Sequence, residues 1–335
     1  MENQREIALQ AWCESITGHA QRRLQPVSGD ASFRRYFRTS DGQRSLIAVD
    51  APPPQESLQP FMAIAASYAA AGVTVPEVIA ANQEQGFMLL SDLGSTLLLS
   101  ELTETNMSVW YQRALQDLMA LMPVTSTELG PLPCYDEALL RRELALFHDW
   151  LVTEHLQLKL SREEQLLWQE FCDSLVTNAL EQPQVGVHRD FHARNIMVVG
   201  PQHLAYIDFQ DAVVGPITYD AVSLLRDCYV RWPLAQVREL SQYLYLHLQQ
   251  QGLISQQVSA AQWQRWFDLM GLQRHTKAAG IFARLYHRDG KAGYLADIPR
   301  TVGYLHDIAG LYPEFSEYQR WLARAIQPAL QELSA

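Results

Sequence analysis

The stretch Val187-His188-Arg189-Asp190-Phe191-His192-Ala193-Arg194-Asn195 decides how this chain reads. It runs on through Ile196-Met197-Val198-Val199, Gly200-Pro201-Gln202 and Leu204-Ala205-Tyr206-Ile207-Asp208-Phe209. Two short apolar runs around a Gly-Pro turn predict a β-hairpin. Asn195 stands just before the first strand and Asp208 just after the second, so the hairpin returns both side chains to one open end. Asp190 lies one short loop upstream. An amide and a carboxylate, with a second carboxylate beside them, are hard oxygen ligands of the kind that hold Mg2+ together with phosphates. Each residue alone reads as a cap or turn residue. The three at this spacing read as a site.

The joint pattern His-Arg-Asp-Phe-x-x-x-Asn followed by Ile-Asp-Phe resembles the catalytic and metal-binding loops of the protein-kinase-like fold. That resemblance implies an α+β, two-lobe molecule. Residues 1–93 would form a small antiparallel-sheet N-lobe over the nucleotide. Residues 94–335 would form a larger, mainly helical C-lobe carrying catalysis and the acceptor. It further implies ATP and Mg2+ as cofactors, with Asn195 and Asp208 on the metal, Asp190 taking the acceptor proton and His188 bracing the loop.

Composition narrows the classes. The 335 residues are 48% hydrophobic and 19% charged, an ordinary globular mixture. A formal net charge of -11 with no basic run of nucleic-acid type argues against a nucleic-acid partner. Cys13, Cys134, Cys172 and Cys228 are scattered without a CxxC, which argues against zinc and a disulfide framework and fits a reducing cytoplasm. The charged start Met1-Glu2-Asn3-Gln4-Arg5-Glu6 is no signal peptide. The alanine-rich run from Phe61 to Pro76 is interrupted by Gly72 and too short to span a bilayer, so it predicts a buried helix and no membrane partner.

Upstream of the hairpin, a helix is expected over residues 6–24 from Ile7, Leu9, Trp12 and Ile16. Small residues at Ser28-Gly29-Asp30-Ala31-Ser32-Phe33 form a turn between strand-like runs, where backbone N–H groups can approach an anion. This turn resembles the nucleotide-covering loop of aminoglycoside-phosphotransferase-like kinases, which makes all six residues expected ATP contacts. A strand is expected at 45–49. Protein kinases carry a phosphate-binding lysine at its end, whereas this chain reads Val49-Asp50. Arg34, Arg35, Arg38 or Arg44 are the alternative cations. A helix at 57–71 has no acid in its interior, with Glu56 just before it. Strands at 77–81 and 86–90 complete the sheet. Ser91-Asp92-Leu93-Gly94 reads as an interlobe hinge. The resemblance implies adenine on the Ser91 carbonyl and the Leu93 N–H, with Leu90 behind the ring.

Helical spacing recurs at 109–121, 138–151, 164–180, 234–250, 260–275, 277–285 and 315–333, with Phe147, Trp150, Trp168 and Phe171 expected in the core. Asp220 opens a further helix and is structural in the family.

Two features point away from a protein kinase: Asp208-Phe209 is followed by Gln210 rather than glycine, and the segment before Gly215-Pro216 is too short for an activation loop. The small-molecule branch fits better. Within it, Gly29–Phe37, Val49–Pro53 and Gly280–Lys291 together resemble bacterial N-acetylmuramate/N-acetylglucosamine anomeric kinases, a subgroup that shares the Val49-Asp50 departure. The resemblance implies ATP-dependent phosphorylation of an amino sugar's anomeric hydroxyl in cell-wall recycling. Arg274, His275, Lys277, Arg284, His287, Arg288 and Lys291 form a locally basic run. A solvated helix face is its default explanation. An acidic sugar's lactyl carboxylate could instead pair with Arg284 or Arg288. His192 and Asp211 are the other expected sugar contacts. An aminoglycoside or other small-alcohol kinase is the first alternative; polycationic drugs would require an acidic pocket, which the basic run opposes. A catalytically silent nucleotide-binding module is the second, suggested by the absent lysine and opposed by Asp190, Asn195 and Asp208. The sequence carries no signal of oligomeric state.

Overall fold

The computed structural model describes residues 2–18, 24–27 and 34–334. The chain forms two compact units. One comprises Met1–Thr103, Val124–Leu132 and Ala193–Ala212, and the other Glu104–Pro123, Pro133–His192 and Val213–Ala335.

The first unit is built on a five-stranded antiparallel sheet. Its elements are α1 (Glu2–Thr17), β1 (Gln25–Pro26), β2 (Arg35–Ser40), β3 (Ser45–Asp50), α2 (Gln59–Ala70), β4 (Val78–Asn82) and β5 (Phe87–Ser91). The strand order is β1-β2-β3-β5-β4. Alternation along the strands puts Leu46 and Ala48 of β3, and Phe87 and Leu89 of β5, on one face. There they bury Leu9 and Cys13, one turn apart on α1. The expected helix at 6–24 is corrected: it starts at Glu2 and ends at Thr17, because Gly18 takes a left-handed φ of 69° and closes the last turn on the Glu14 carbonyl. α2 begins with a proline in its first turn and stops before Gly72, whose φ is 82°. The hairpin follows as expected, Ile196–Gly200 against His203–Tyr206, with a bulge between His203 and Leu204.

The second unit is helical, with helices at Met107–Leu121, Glu137–Leu146, Arg162–Leu180, Tyr219–Leu225, Leu234–Gln250, Ala260–Asp289 and Ile298–Ala309. Four expectations change here. The two helices anticipated at 260–275 and 277–285 are one 30-residue helix, since nothing between them breaks the backbone ladder and it ends only at left-handed Gly290. The helix at 138–151 gives way at Phe147 to a π-helical stretch, Phe147–His155. The 315–333 helix starts within the turn Pro313–Phe315 and carries a π-helical insert at Leu322–Ile326. Trp150 and Trp168 are half-buried rather than core, while Phe147 and Phe171 are buried as expected. Helix Ile298–Ala309 and the strand pair Gln184–Val187 with Val213–Pro216 were not anticipated. Among the described residues no helix is long and apolar enough to cross a membrane.

Candidate active site

In the sheet-bearing unit, the hairpin does what its sequence promised. The Ile207 N–H donates to the Asn195 carbonyl at 3.0 Å, extending the ladder past Tyr206. This brings the Asn195 amide nitrogen to 3.3 Å from one Asp208 carboxylate oxygen. Gln210 donates to the other oxygen at 2.8 Å. Asp208 itself holds a left-handed φ of 65°, uncommon for a residue with a side chain. Phe209 anchors that turn: it is fully buried against Phe61 and Tyr68 of α2, with ring centroids at 4.7 and 5.5 Å. Among the described residues no three His, Cys, Asp or Glu side chains converge as a metal cage. An amide and one carboxylate suit an ion that completes its shell with phosphates and water, as Mg2+ does. Asp211 is exposed.

The expected nucleotide-covering residues Ser28, Gly29, Asp30, Ala31, Ser32 and Phe33 lie outside the described residues. The four candidate arginines nearby are each held by an acid. Arg34 pairs with Glu56 at 3.0 Å, Arg38 with Asp92 at 2.6 Å and Arg44 with Asp41 at 3.1 Å. Asp50, standing where protein kinases have lysine, is fully buried between Arg5 and Arg35, each at 2.5 Å. At the hinge, Asp92 also accepts from Ser45 at 2.5 Å and from the Gly94 N–H at 2.9 Å. Leu90 is buried. Among the described residues the Leu93 N–H meets no acceptor.

In the helical unit, the loop around Asp190 is pinned through its backbone. Asp220 accepts from the His188 N–H at 2.6 Å and the Arg189 N–H at 3.0 Å. Burial pushes the Asp220 carboxyl up to about 7 even against those donors. Arg189 has a left-handed φ of 76°. Burial raises the Asp190 carboxyl, but the charges of Lys277, His192, Arg274 and His188 outweigh it and leave the group below its ordinary value. The His192 N–H donates to the Asp190 carbonyl at 3.0 Å, and its ring meets Tyr229 edge-on at 5.4 Å.

The basic run on helix Ala260–Asp289 divides into two parts. Arg288 is exposed and tied to Asp289 at 2.8 Å. Arg284 is half-buried, and burial together with the Arg288 charge holds its guanidinium below the ordinary value. Arg274 and His275 are instead buried and Lys277 is only 12% exposed, so the solvated-face explanation holds only for the end of the run. Arg274 lies over the Tyr219 ring at 5.0 Å, and Lys277 donates to the Tyr219 hydroxyl at 3.0 Å. Sequence reasoning named these cations without singling them out, and it passed over Glu143 entirely. The Glu143 carboxylate, 8% exposed, takes Arg189 at 2.6 Å and Lys277 at 3.0 Å on one oxygen and the Tyr135 hydroxyl on the other. The signal available was an acid at position 143 inside an otherwise apolar helix stripe, next to Leu140 and Leu144.

The chain is 46% identical over 306 residues to an N-acetylmuramate/N-acetylglucosamine kinase of Pseudomonas aeruginosa, covering 91% of this chain and 89% of the relative. A Pseudomonas putida protein of the same name is 41% identical over 93% of this chain and 90% of its own. Among solved structures, a Plasmodium vivax ethanolamine kinase superposes with a TM-score of 0.63 at 12% identity, covering 93% of this chain and 89% of that one. The GDP complex of aminoglycoside 2'-phosphotransferase-IIIa gives 0.62 at 14% identity, covering 92% and 99%. The fold is therefore protein-kinase-like. The sequence profile of the phosphotransferase enzyme family matches residues 23–253, and the chain belongs to that family.

Proposed function

We propose that this enzyme transfers the γ-phosphoryl group of ATP to the anomeric hydroxyl of N-acetylmuramate and N-acetylglucosamine, in the cytoplasm, giving sugar 1-phosphates for cell-wall recycling. The observation that carries this reading is identity of 46% across nine-tenths of both chains with a kinase of that name. The residue roles follow the chemistry. Phosphoryl transfer asks a protein for positioning and charge neutralisation. Asp190, kept ionised by the surrounding cations, takes the proton as the sugar oxygen bonds to phosphorus and the ADP oxygen leaves. Asn195 and Asp208 would hold Mg2+, which neutralises charge on the β- and γ-phosphates. Residues 1–93 cover the nucleotide, with Ser28–Phe33 over the phosphates and Leu90, Ser91 and Leu93 at the adenine. Residues 94–335 carry the acceptor, with His192, Asp211, Arg284 and Arg288 as its contacts.

The test is turnover of ATP with N-acetylmuramate, N-acetylglucosamine and a kanamycin-type polycation, read as ADP release and as phosphorus resonances of the product. Sugar 1-phosphate from both sugars and none from the polycation is the expected result. Phosphorylation of the aminoglycoside with neither sugar accepted would overturn the substrate class.

A further inference from the structure

We propose that Glu143 is a positioning residue for catalysis: a built-in anion that holds Arg189, and through it the Asp190 loop, in working geometry without any activating modification. The proposal rests on Asp190 being the base, as argued above.

Four observations support it. Arg189 sits one residue before Asp190 in a left-handed conformation that a bulky side chain avoids unless its surroundings over-determine it. Its backbone N–H is held by Asp220. Its side chain is held by Glu143 at 2.6 Å. Glu143 is in turn held from the far side by Lys277 at 3.0 Å and by Tyr135, whose hydroxyl also accepts from Gln273 at 3.0 Å. Of its partners, Tyr135 is buried, Lys277 is 12% exposed and Arg189 is 21% exposed.

The packing that delivers Glu143 is equally specific. A Cβ at Gly280 would lie 2.3 Å from the Leu146 carbonyl carbon and 2.4 Å from the Phe147 nitrogen. Glycine there lets helix Ala260–Asp289 pass directly against the end of helix Glu137–Leu146. Three residues earlier on each helix stand Lys277 and Glu143, the pair in contact. Some kinases hold a catalytic-loop arginine only after phosphorylation supplies an anion. Here a carboxylate supplies it in every molecule, and the stretch between Asp208 and Gly215 is too short for an activation segment. Burial raises the Glu143 carboxyl, but the charges of Lys277 and Arg189 outweigh it and leave the group below its ordinary value, so the anion persists throughout the neutral range.

The experiment compares Glu143→Gln, Arg189→Gln and the double variant with the parent enzyme, with Asp190→Asn as a control, using ATP and N-acetylglucosamine. A misaimed base lowers kcat roughly 10–100-fold while KM for sugar and ATP changes little. The expected result is that loss in both single variants, no further loss in the double variant, and cooperative unfolding in each. Arg189→Gln leaves the Glu143–Lys277 pair intact, so it decides the matter if Glu143→Gln does not fold. Unchanged kcat per folded molecule in either single variant overturns the proposal. Additive losses in the double variant, or a loss confined to KM, also overturn it. An Asp190→Asn variant as active as the parent would instead overturn the reading of Asp190, whatever the Glu143 variants do.

Discussion

The open ion pairs of the sheet-bearing unit and the shared networks of the helical unit handle charge in opposite ways. In the sheet-bearing unit, Arg38 with Asp92 and Arg44 with Asp41 meet at the edge of solvent, whereas Arg34 with Glu56 is largely covered and Asp50 is fully buried between Arg5 and Arg35. In the helical unit, Glu143 is shared among Arg189, Lys277 and Tyr135, and Asp268 among Arg226 and Tyr312, with both carboxylates buried. Part-exposed pairs gain little from attraction because water and salt screen them. A buried network has no such buffer, and removing one member strands the others as uncompensated charge. The comparison therefore places sensitivity to single substitutions in the Glu143 and Asp268 networks and tolerance at open pairs such as Arg38 with Asp92.

The largest effect is expected at Asp190. Asp190→Asn keeps the shape of the loop but removes the proton acceptor, and a general base contributes roughly 10²–10⁴-fold. Steady-state turnover of the purified variant should fall by that factor while ATP affinity by calorimetry stays near the parent's. Turnover near the parent's would end the assignment.

Asp208 and Asn195 sharpen the comparison from the other side, because they are charged and polar groups of the sheet-bearing unit whose value is chemical. Asp208→Ala should weaken Mg2+-dependent nucleotide binding by at least the roughly 10–100-fold that even an outer partner of a metal ligand is worth. Asn195→Ala, which removes no charge, should cost less. Nucleotide affinity titrated against Mg2+ measures both. The same Mg2+ dependence in Asp208→Ala as in the parent would remove it from the metal.

Asn195 and Asp208 are legible in the sequence because their signal is local. They lie at the two ends of one hairpin, so strand periodicity alone brings them together, and it did, at 3.3 Å. The sheet and α2 were legible for the same reason. What could not be read was long-range. Glu143 meets residues 46 and 134 positions away through helix packing, and no periodicity encodes that partner. Helix Ala260–Asp289 reads as two on either side of Thr276, where the polar residues Arg274, His275 and Thr276 are in fact buried. The early end of α1 turned on whether Gly18 adopts a left-handed φ, which a glycine permits but does not require.

Gly280→Ala probes the helical unit without touching a charge. Its new methyl would meet backbone on all three nearest atoms, so no side chain can swing aside. Forcing extra volume into such a contact costs about 1–3 kcal/mol. Thermal unfolding should show the loss, and turnover should fall with it, because the shift moves Glu143 off Lys277 and Arg189. A stable, fully active Gly280→Ala would show that the helix contact is looser than its geometry and that the network tolerates displacement.

The smallest effect belongs to Arg38 and Asp92. Arg38→Met, Asp92→Asn and the double variant form a cycle whose coupling should be below about 1 kcal/mol, the range of part-exposed pairs. Burial raises the Asp92 carboxyl, but Arg38, Ser45 and the Gly94 N–H draw it below its ordinary 3.8. A carboxyl depressed by folding binds fewer protons in the native state than in the unfolded one. Its contribution is thus complete above the ordinary value and is lost as pH falls through the native one. The coupling should therefore be level from neutral pH down to about 5 and shrink in more acid solution, and added salt should reduce it at every pH. The Glu143–Arg189 cycle follows the same acid limb, because the Glu143 carboxyl is also depressed from 4.5. It should differ in size, about 3–5 kcal/mol when one partner is removed, and in being nearly blind to salt. Equal coupling energies and equal salt dependence for the two pairs would break the contrast between the units, since burial would then have bought the helical network nothing.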